Sequence, residues 1–229
     1  MPSELRYEPP LRLPAVVTDR WGRADTVLVN DGQTFSLLLR GNRYEGDSLD
    51  SLELVGRLDA EALPPDLTRL DELCSCTIEW RTPLQVTGPG ADPRPGVLHA
   101  RLVLGDANPD GSLDALHVTL ELDLPDDAGT VTSGGPWEDM EDALLDLQRQ
   151  LPPGVGLVAC IACAFSDYSP VGSGFIGSMA CFRDAKDAYR TVSGKAGIFG
   201  LWDRRTGFAQ ETFHCAEFEP RRPGTGYRG

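Results

Sequence analysis

Lysine is almost missing from this chain: Lys186 and Lys195 stand against nineteen arginines. The bias is that of a base composition rather than of a binding surface, because the arginines are scattered and form no basic stripe. With a formal net charge of −14, this argues against a nucleic-acid-binding surface. Long apolar runs are also absent. No stretch approaches the roughly 18–20 apolar residues needed to cross a bilayer, so no membrane span is expected. The opening MPSELRYEPPLRLP has no basic segment leading into an apolar run; no secretory leader is expected and a cytoplasmic location follows. Only three histidines occur, which leaves a His-driven hydrolase with little support. The GxSxG, HExxH, GxxxxGK[ST] and strand-associated GxGxxG patterns are missing, so no catalytic residue is assigned.

What remains is a chain of 229 residues, 41% hydrophobic, long enough for one large domain or two small ones. Its charge is uneven. Residues 1–150 carry 12 Arg against 28 acidic residues, a net −16, whereas residues 151–229 carry a net +2. The acidity of the first part serves solubility, or alternatively offers a docking face to a basic protein partner.

The pattern predicts an α+β fold: an antiparallel, β-rich, sandwich-like N-terminal part, one amphipathic helix, then a small four-cysteine α+β module. The expected domains are an acidic β-rich unit over 1–135, the helix and cysteine module over 136–221, and a flexible tail over 222–229. Strands are read at Leu13–Val17, Thr26–Val29 and Thr34–Leu39, the last two joined by the hairpin signal Asn30-Asp31-Gly32. Leu52, Leu54 and Leu58 suggest another half-buried segment, and Cys76–Trp80, Leu98–Leu104 and Leu116–Leu124 complete the set. Trp137, Met140, Leu144, Leu147 and Leu151 recur at steps of three and four, which builds one apolar helical stripe. Pro136 fits its first turn and Pro152-Pro153-Gly154 stops it. A second helix is expected over 183–192, and a terminal hairpin from Ile198–Trp202 and Phe208–Phe213.

Four of the six cysteines follow Gln150. Cys160 and Cys163 form a CxxC pair; Cys181 and then Cys215, preceded by His214, lie downstream. Four thiolates close a tetrahedral zinc site, and CxxC places two ligands on one tight turn. An iron–sulfur cluster uses the same four donors. His214 is an alternative to Cys215, although neighbours on a strand point to opposite faces. Two other readings stand beside the metal. One is thiol–disulfide chemistry at Cys160 and Cys163, which a helix N-terminus favours and the loop-like Ala164–Pro170 does not. The other is plain burial, since free cysteine packs as a small hydrophobe; Cys74 and Cys76 belong to that class.

The run Cys160-Ile-Ala-Cys-Ala-Phe-Ser-Asp-Tyr-Ser-Pro170, its continuation through Cys181-Phe-Arg183, and the stretch Gln210-Glu-Thr-Phe-His-Cys-Ala-Glu-Phe-Glu-Pro-Arg221 resemble an uncharacterised bacterial family, domain of unknown function 6304. The resemblance is strongest over residues 136–221 and loose over the β-rich part. It implies that Cys160, Cys163, Cys181 and Cys215 act as one set; from the donor chemistry, zinc is the expected cofactor and an iron–sulfur cluster the alternative. It implies no activity. The expected function is therefore a metal-binding protein without catalytic machinery, with a thiol oxidoreductase or an immunity- or antitoxin-like binder as alternatives.

Two weaker patterns are read as structural. Asp106, Asn108, Asp110, Gly111 and Asp114 echo the start of an EF-hand loop, but His117 stands where its bidentate Glu belongs, which favours a hairpin turn. His99 and His117 lie in expected strands without a motif partner and are read as satisfied structural histidines. Ser166, Asp167 and Tyr168 either line a site beside the metal or tie down a loop.

Overall fold

The computed structural model describes residues 5–57, 61–88, 90–172, 174–177, 179–224 and 226–227. Leu58, one of the residues read as half-buried, lies outside them. The chain is α+β and mostly antiparallel sheet. The strands run in order β1 (Leu11–Asp19), β2 (Gly22–Asn30), β3 (Phe35–Leu39), β4 (Asn42–Gly46), β5 (Glu53–Arg57), β6 (Cys76–Thr87), β7 (Arg94–Leu104), β8 (Leu116–Asp123) and β9 (Thr130–Thr132). Helix α1 (Met140–Gln150) and β10 (Gly156–Leu157) follow, then β11 (Ser166–Asp167), β12 (Met179–Cys181), α2 (Lys186–Arg190), α3 (Gly194–Leu201) and β13 (Gly207–Ala209).

The first nine strands join in the order β5-β4-β3-β2-β1-β6-β7-β8-β9, and β10 adds to β6, giving one ten-stranded sheet. A second sheet of three strands has the order β11-β12-β13. Alternation decides which side chains go inside. Along β6, Cys76, Ile78, Trp80, Thr82, Leu84 and Val86 are buried while their neighbours are not, the period of a strand with one wet face. Beside them on the same face lie Leu98, Ala100, Leu102 and Leu104 of β7, and Val118, Leu120 and Leu122 of β8.

The turns follow from short side chains and glycine. Between β2 and β3, the Asp31 carboxylate accepts from the N–H groups of Gln33 (2.8 Å) and Thr34 (2.7 Å), and Asn30 accepts from Gly32 at 2.8 Å. The strand β4 is absent from the sequence reading. Arg40 (φ 48°) and Gly41 (φ 78°) both take positive φ between the paired Leu39 and Asn42, the form of a two-residue primed hairpin turn. An arginine at the first turn position hides that hairpin from a search for Asn-Gly or Asp-Gly.

Helix α1 starts later than its stripe suggests. Trp137 pairs by backbone with Val118, in both directions (2.8 and 3.0 Å), so it belongs to the sheet edge. Asp139 is the cap: its carboxylate accepts from Asp142 N–H at 2.7 Å. Met140, Ala143, Leu144 and Leu147 then enter the main core. That core is contiguous from Leu5 to Phe213 and includes Cys160, Ile161 and Cys181; a smaller one gathers Cys163, Phe165, Phe182, Tyr189, Ile198 and Leu201.

The expected hairpin at the C-terminal end is a correction. Ile198–Trp202 is not a strand: Gly194–Leu201 forms α3, whose buried Ile198 and Leu201 stand three apart on one helical face. A short apolar run fits either period, and here the spacing of the buried pair decides. Gly207–Ala209 pairs instead with β12. In the segment read as a flexible tail, Tyr227 packs against the smaller core and donates its backbone N–H to Asp167 at 3.1 Å.

Two amides stitch the sheets together. Asn30 donates to the Gln210 side-chain carbonyl at 2.7 Å, both residues buried. Gln33 Nε2 donates to the Phe208 carbonyl at 2.7 Å and to those of Leu5 and Gly32.

Candidate metal centre

The CxxC pair sits on a single 3₁₀ turn, Cys160–Ala162, closed by Cys163 N–H donating to the Cys160 carbonyl at 3.1 Å. Backbone bonds bring the other two cysteines toward it. Cys160 N–H donates to Phe213 O (2.8 Å) and Ile161 N–H to Glu211 O (2.9 Å), which fixes the strand of chain leading to Cys215. Ser166, three residues past Cys163, is the register partner of Cys181. Ala164 N–H donates to Glu219 O, and Arg221 N–H returns to Ala162 O. The Arg221 guanidinium donates to the carbonyls of Cys163 (2.9 Å) and Ser166. Three separated segments therefore meet at one place.

All six cysteines are free thiols. Cys160, Cys163 and Cys181 are buried, and Cys215 is half-buried. Burial, first, and then the neighbouring Cys163, Cys181 and Cys215 push the Cys160 thiol well above its usual range. Burial raises Cys163 as well, with Cys215 adding to it, and lifts Cys181 to about 11 with Cys163 and Cys215 contributing. The four thiols are thus within electrostatic reach of one another. Among the described residues, however, no three His, Cys, Asp or Glu side chains are arranged so as to hold a metal ion. The donors match zinc or an iron–sulfur cluster in kind and number; as they stand they are not drawn into a coordination shell. His214 is exposed, whereas Cys215 packs against the main core.

Buried polar groups accompany the cysteines, and one of them, Glu211, is not singled out in the sequence. Glu211 is fully buried; its carboxylate accepts from Tyr168 Oη at 2.9 Å and from Gly177 N–H at 2.7 Å. Burial pushes its carboxyl up to about 7 against those hydrogen bonds. Asp167, also fully buried, accepts from Tyr189 Oη. Ser166 Oγ donates to the Cys160 carbonyl. Ser166 and Asp167 thus tie down the loop, and Tyr168 reaches across to Glu211. A buried Glu inside a polar stretch carries no period or spacing, which is why Glu211 is invisible without the fold.

The other candidates resolve as structure. In the Asp106 loop, Asp110 accepts from Ser112 N–H (2.9 Å) and Oγ (2.7 Å), and Asp114 accepts from Asp106 N–H (2.7 Å). Those carboxylates build a turn between β7 and β8. His99 Nε2 lies 2.8 Å from the Asp123 carboxylate on the adjacent strand. Cys74 and Cys76 are both buried, and burial lifts the Cys76 thiol to about 12.

A family model described as "Family of unknown function (DUF6304)" matches residues 11–166, more than half of the chain. The chain belongs to that family. The match takes in the ten-stranded sheet, α1, Cys160 and Cys163, and stops before Cys181 and Cys215. The match thus bears out the resemblance to this family and overlaps the 136–221 stretch over residues 136–166. No curated protein and no solved structure matches the chain. No helix among the described residues is long and apolar enough to cross a membrane.

Proposed function

We propose that this DUF6304 member is a metal-binding protein in which Cys160, Cys163, Cys181 and Cys215 take one structural zinc ion. The observation that supports it is the meeting of four free thiols from three separated segments, each of the buried three raised by others of the set. Neutral buried thiols are poor nucleophiles, so the same observation disfavours the thiol–disulfide alternative, which needs a lowered pKa. Zinc supplies the missing charge balance: it binds the thiolates and releases their protons. Cys215, half-buried and on irregular chain, is the donor with most room to close the shell. The role is structural, with the ion holding the last third of the chain to the turn at Cys160.

Purified without added metal, the protein should carry about one equivalent of zinc per chain, and a colourless absorption spectrum separates that from an iron–sulfur cluster. Cys181→Ser should then lower the thermal midpoint strongly, because metal-binding free energy is also folding free energy. Metal content near zero, with the four thiols reacting freely with a thiol reagent in the folded protein, overturns the reading.

A further inference from the structure

An open groove of about 650 Å³ runs over the outer face of the ten-stranded sheet, across β2, β1, β6, β7 and β8. Its volume falls in the range of small-molecule sites. The side chains that line it are those that alternation turns away from the core, between the buried Ile78, Trp80, Ala100 and Leu120. Six are charged, three of each sign: Arg23, Arg81 and Arg101 against Asp25, Glu79 and Glu121. All six reach solvent. On the β1 side, Pro14 and Val16 add an apolar wall.

The strand lattice keeps these charges apart. Arg81, His99 and Glu121 stand in one row of the register, and Glu79, Arg101 and Thr119 in the next. The backbones of Arg81 and Glu121 are therefore two strands apart, about 10 Å. Neither side chain makes a hydrogen bond or an ion pair among the described residues. Arg101 comes no nearer to Glu79 than 3.7 Å, and Arg23 no nearer to Asp25 than 3.9 Å, both beyond hydrogen-bonding distance. Arg40, by contrast, spends its fork on Asp19 at 3.0 and 3.1 Å. His99 stands between Arg81 and Glu121, and its Nε2 donates to Asp123 at 2.8 Å. Asp123, whose charge reaches Arg81, is thus already engaged by His99, and by Thr130 Oγ1 at 2.6 Å.

We propose that this groove binds a small zwitterion with an apolar side chain, a free amino acid or a short unblocked peptide. Charge complementarity selects it. The guest carboxylate takes the Arg81 fork, its ammonium takes Glu121, and its side chain lies on Pro14 and Val16. A plain anion would meet three carboxylates and the field of a chain at −14, and a plain cation would meet three guanidinium groups. A guest that carries both charges meets neither penalty and bridges the gap that the strands hold open.

The test titrates the full chain with leucine and glycyl-leucine, read by calorimetry and by saturation-transfer NMR up to about 10 mM, beyond which binding is too weak to be specific. N-acetyl-leucine, which keeps only the carboxylate, and leucine amide, which keeps only the ammonium, are titrated beside them. Saturable binding of at least one zwitterion is expected, and whichever binds tighter tells a free amino acid from a peptide. Each singly charged analogue should bind about tenfold more weakly or not at all. Arg81→Gln and Glu121→Gln, both at exposed positions, should each weaken the zwitterion about tenfold while the circular dichroism stays unchanged. No saturable binding of either zwitterion overturns the proposal. So does a singly charged analogue that binds as tightly, or affinity retained within about twofold in either variant.

Discussion

Replacing Glu211 by Gln should remove one identifiable component of the pH dependence of folding. The carboxyl is wholly buried, and its value of about 7 stands above the ordinary 4.5. Burial is the main cause. Glu141 adds repulsion, and the Gly177 and Tyr168 hydrogen bonds oppose the rise. A raised folded value means that between pH 4.5 and about 7 the folded chain holds a proton that the unfolded chain has lost. Stability from this group is therefore fully present below pH 4.5 and falls as pH rises through about 7. A shift of that size corresponds to about 3 kcal/mol. Glutamine keeps the shape: its carbonyl can accept from Gly177 N–H while its amide donates to Tyr168 Oη. One rearranged hydrogen bond costs about 1 kcal/mol. Urea unfolding followed by tryptophan fluorescence from pH 5 to 8.5 measures the difference between the two proteins. The variant should be within about 1 kcal/mol of the wild type at pH 5 and more stable by about 2 kcal/mol at pH 8. Cys160, Cys163 and Cys181 are common to both chains, so their contribution cancels in the comparison. Parallel stability curves, with no gain at pH 8, refute the reasoning.

Two further outcomes test the packing and the start of the helix. Leu144→Ala empties a position of α1 with no solvent exposure and should cost about 3 kcal/mol in the same urea assay; a loss below 1 kcal/mol would mean that α1 is not seated on the sheet. Asp139→Ala removes the side-chain cap on Asp142 N–H and should cost about 1 kcal/mol, with Asp139→Asn recovering most of it.

The sheet was largely legible because alternation reports a half-buried strand directly: the pattern at Cys76–Trp80 simply continues to Thr87 in β6. The helix was legible from its stripe, but its first turn was not. Trp137 satisfies the apolar period and yet spends its backbone on Val118. The strand β4 was missed because its turn uses Arg40 with positive φ, and α3 because a short apolar run between glycines fits two periods. At the cysteines, spacing identified the CxxC turn, and the fold brings Cys181 and Cys215 toward it through Ser166 and Phe213. Glu211 and the Gln210 amide gain meaning only from burial, which depends on segments far away in the chain.

The place of β1 in the sheet bears on how the molecule assembles. β1 through β5 form one ribbon of hairpins between sequence neighbours, and β6 through β9 form another. The two ribbons meet along a short seam, from Ala15↔Trp80 to Thr18↔Thr77, between strands some sixty residues apart. Hairpins close quickly because their loops are short, whereas such a seam must wait for a long loop to close. Formation of the sheet is then the docking of two locally made halves, and the edges of β1 and β6 are the surfaces left sticky until they find each other.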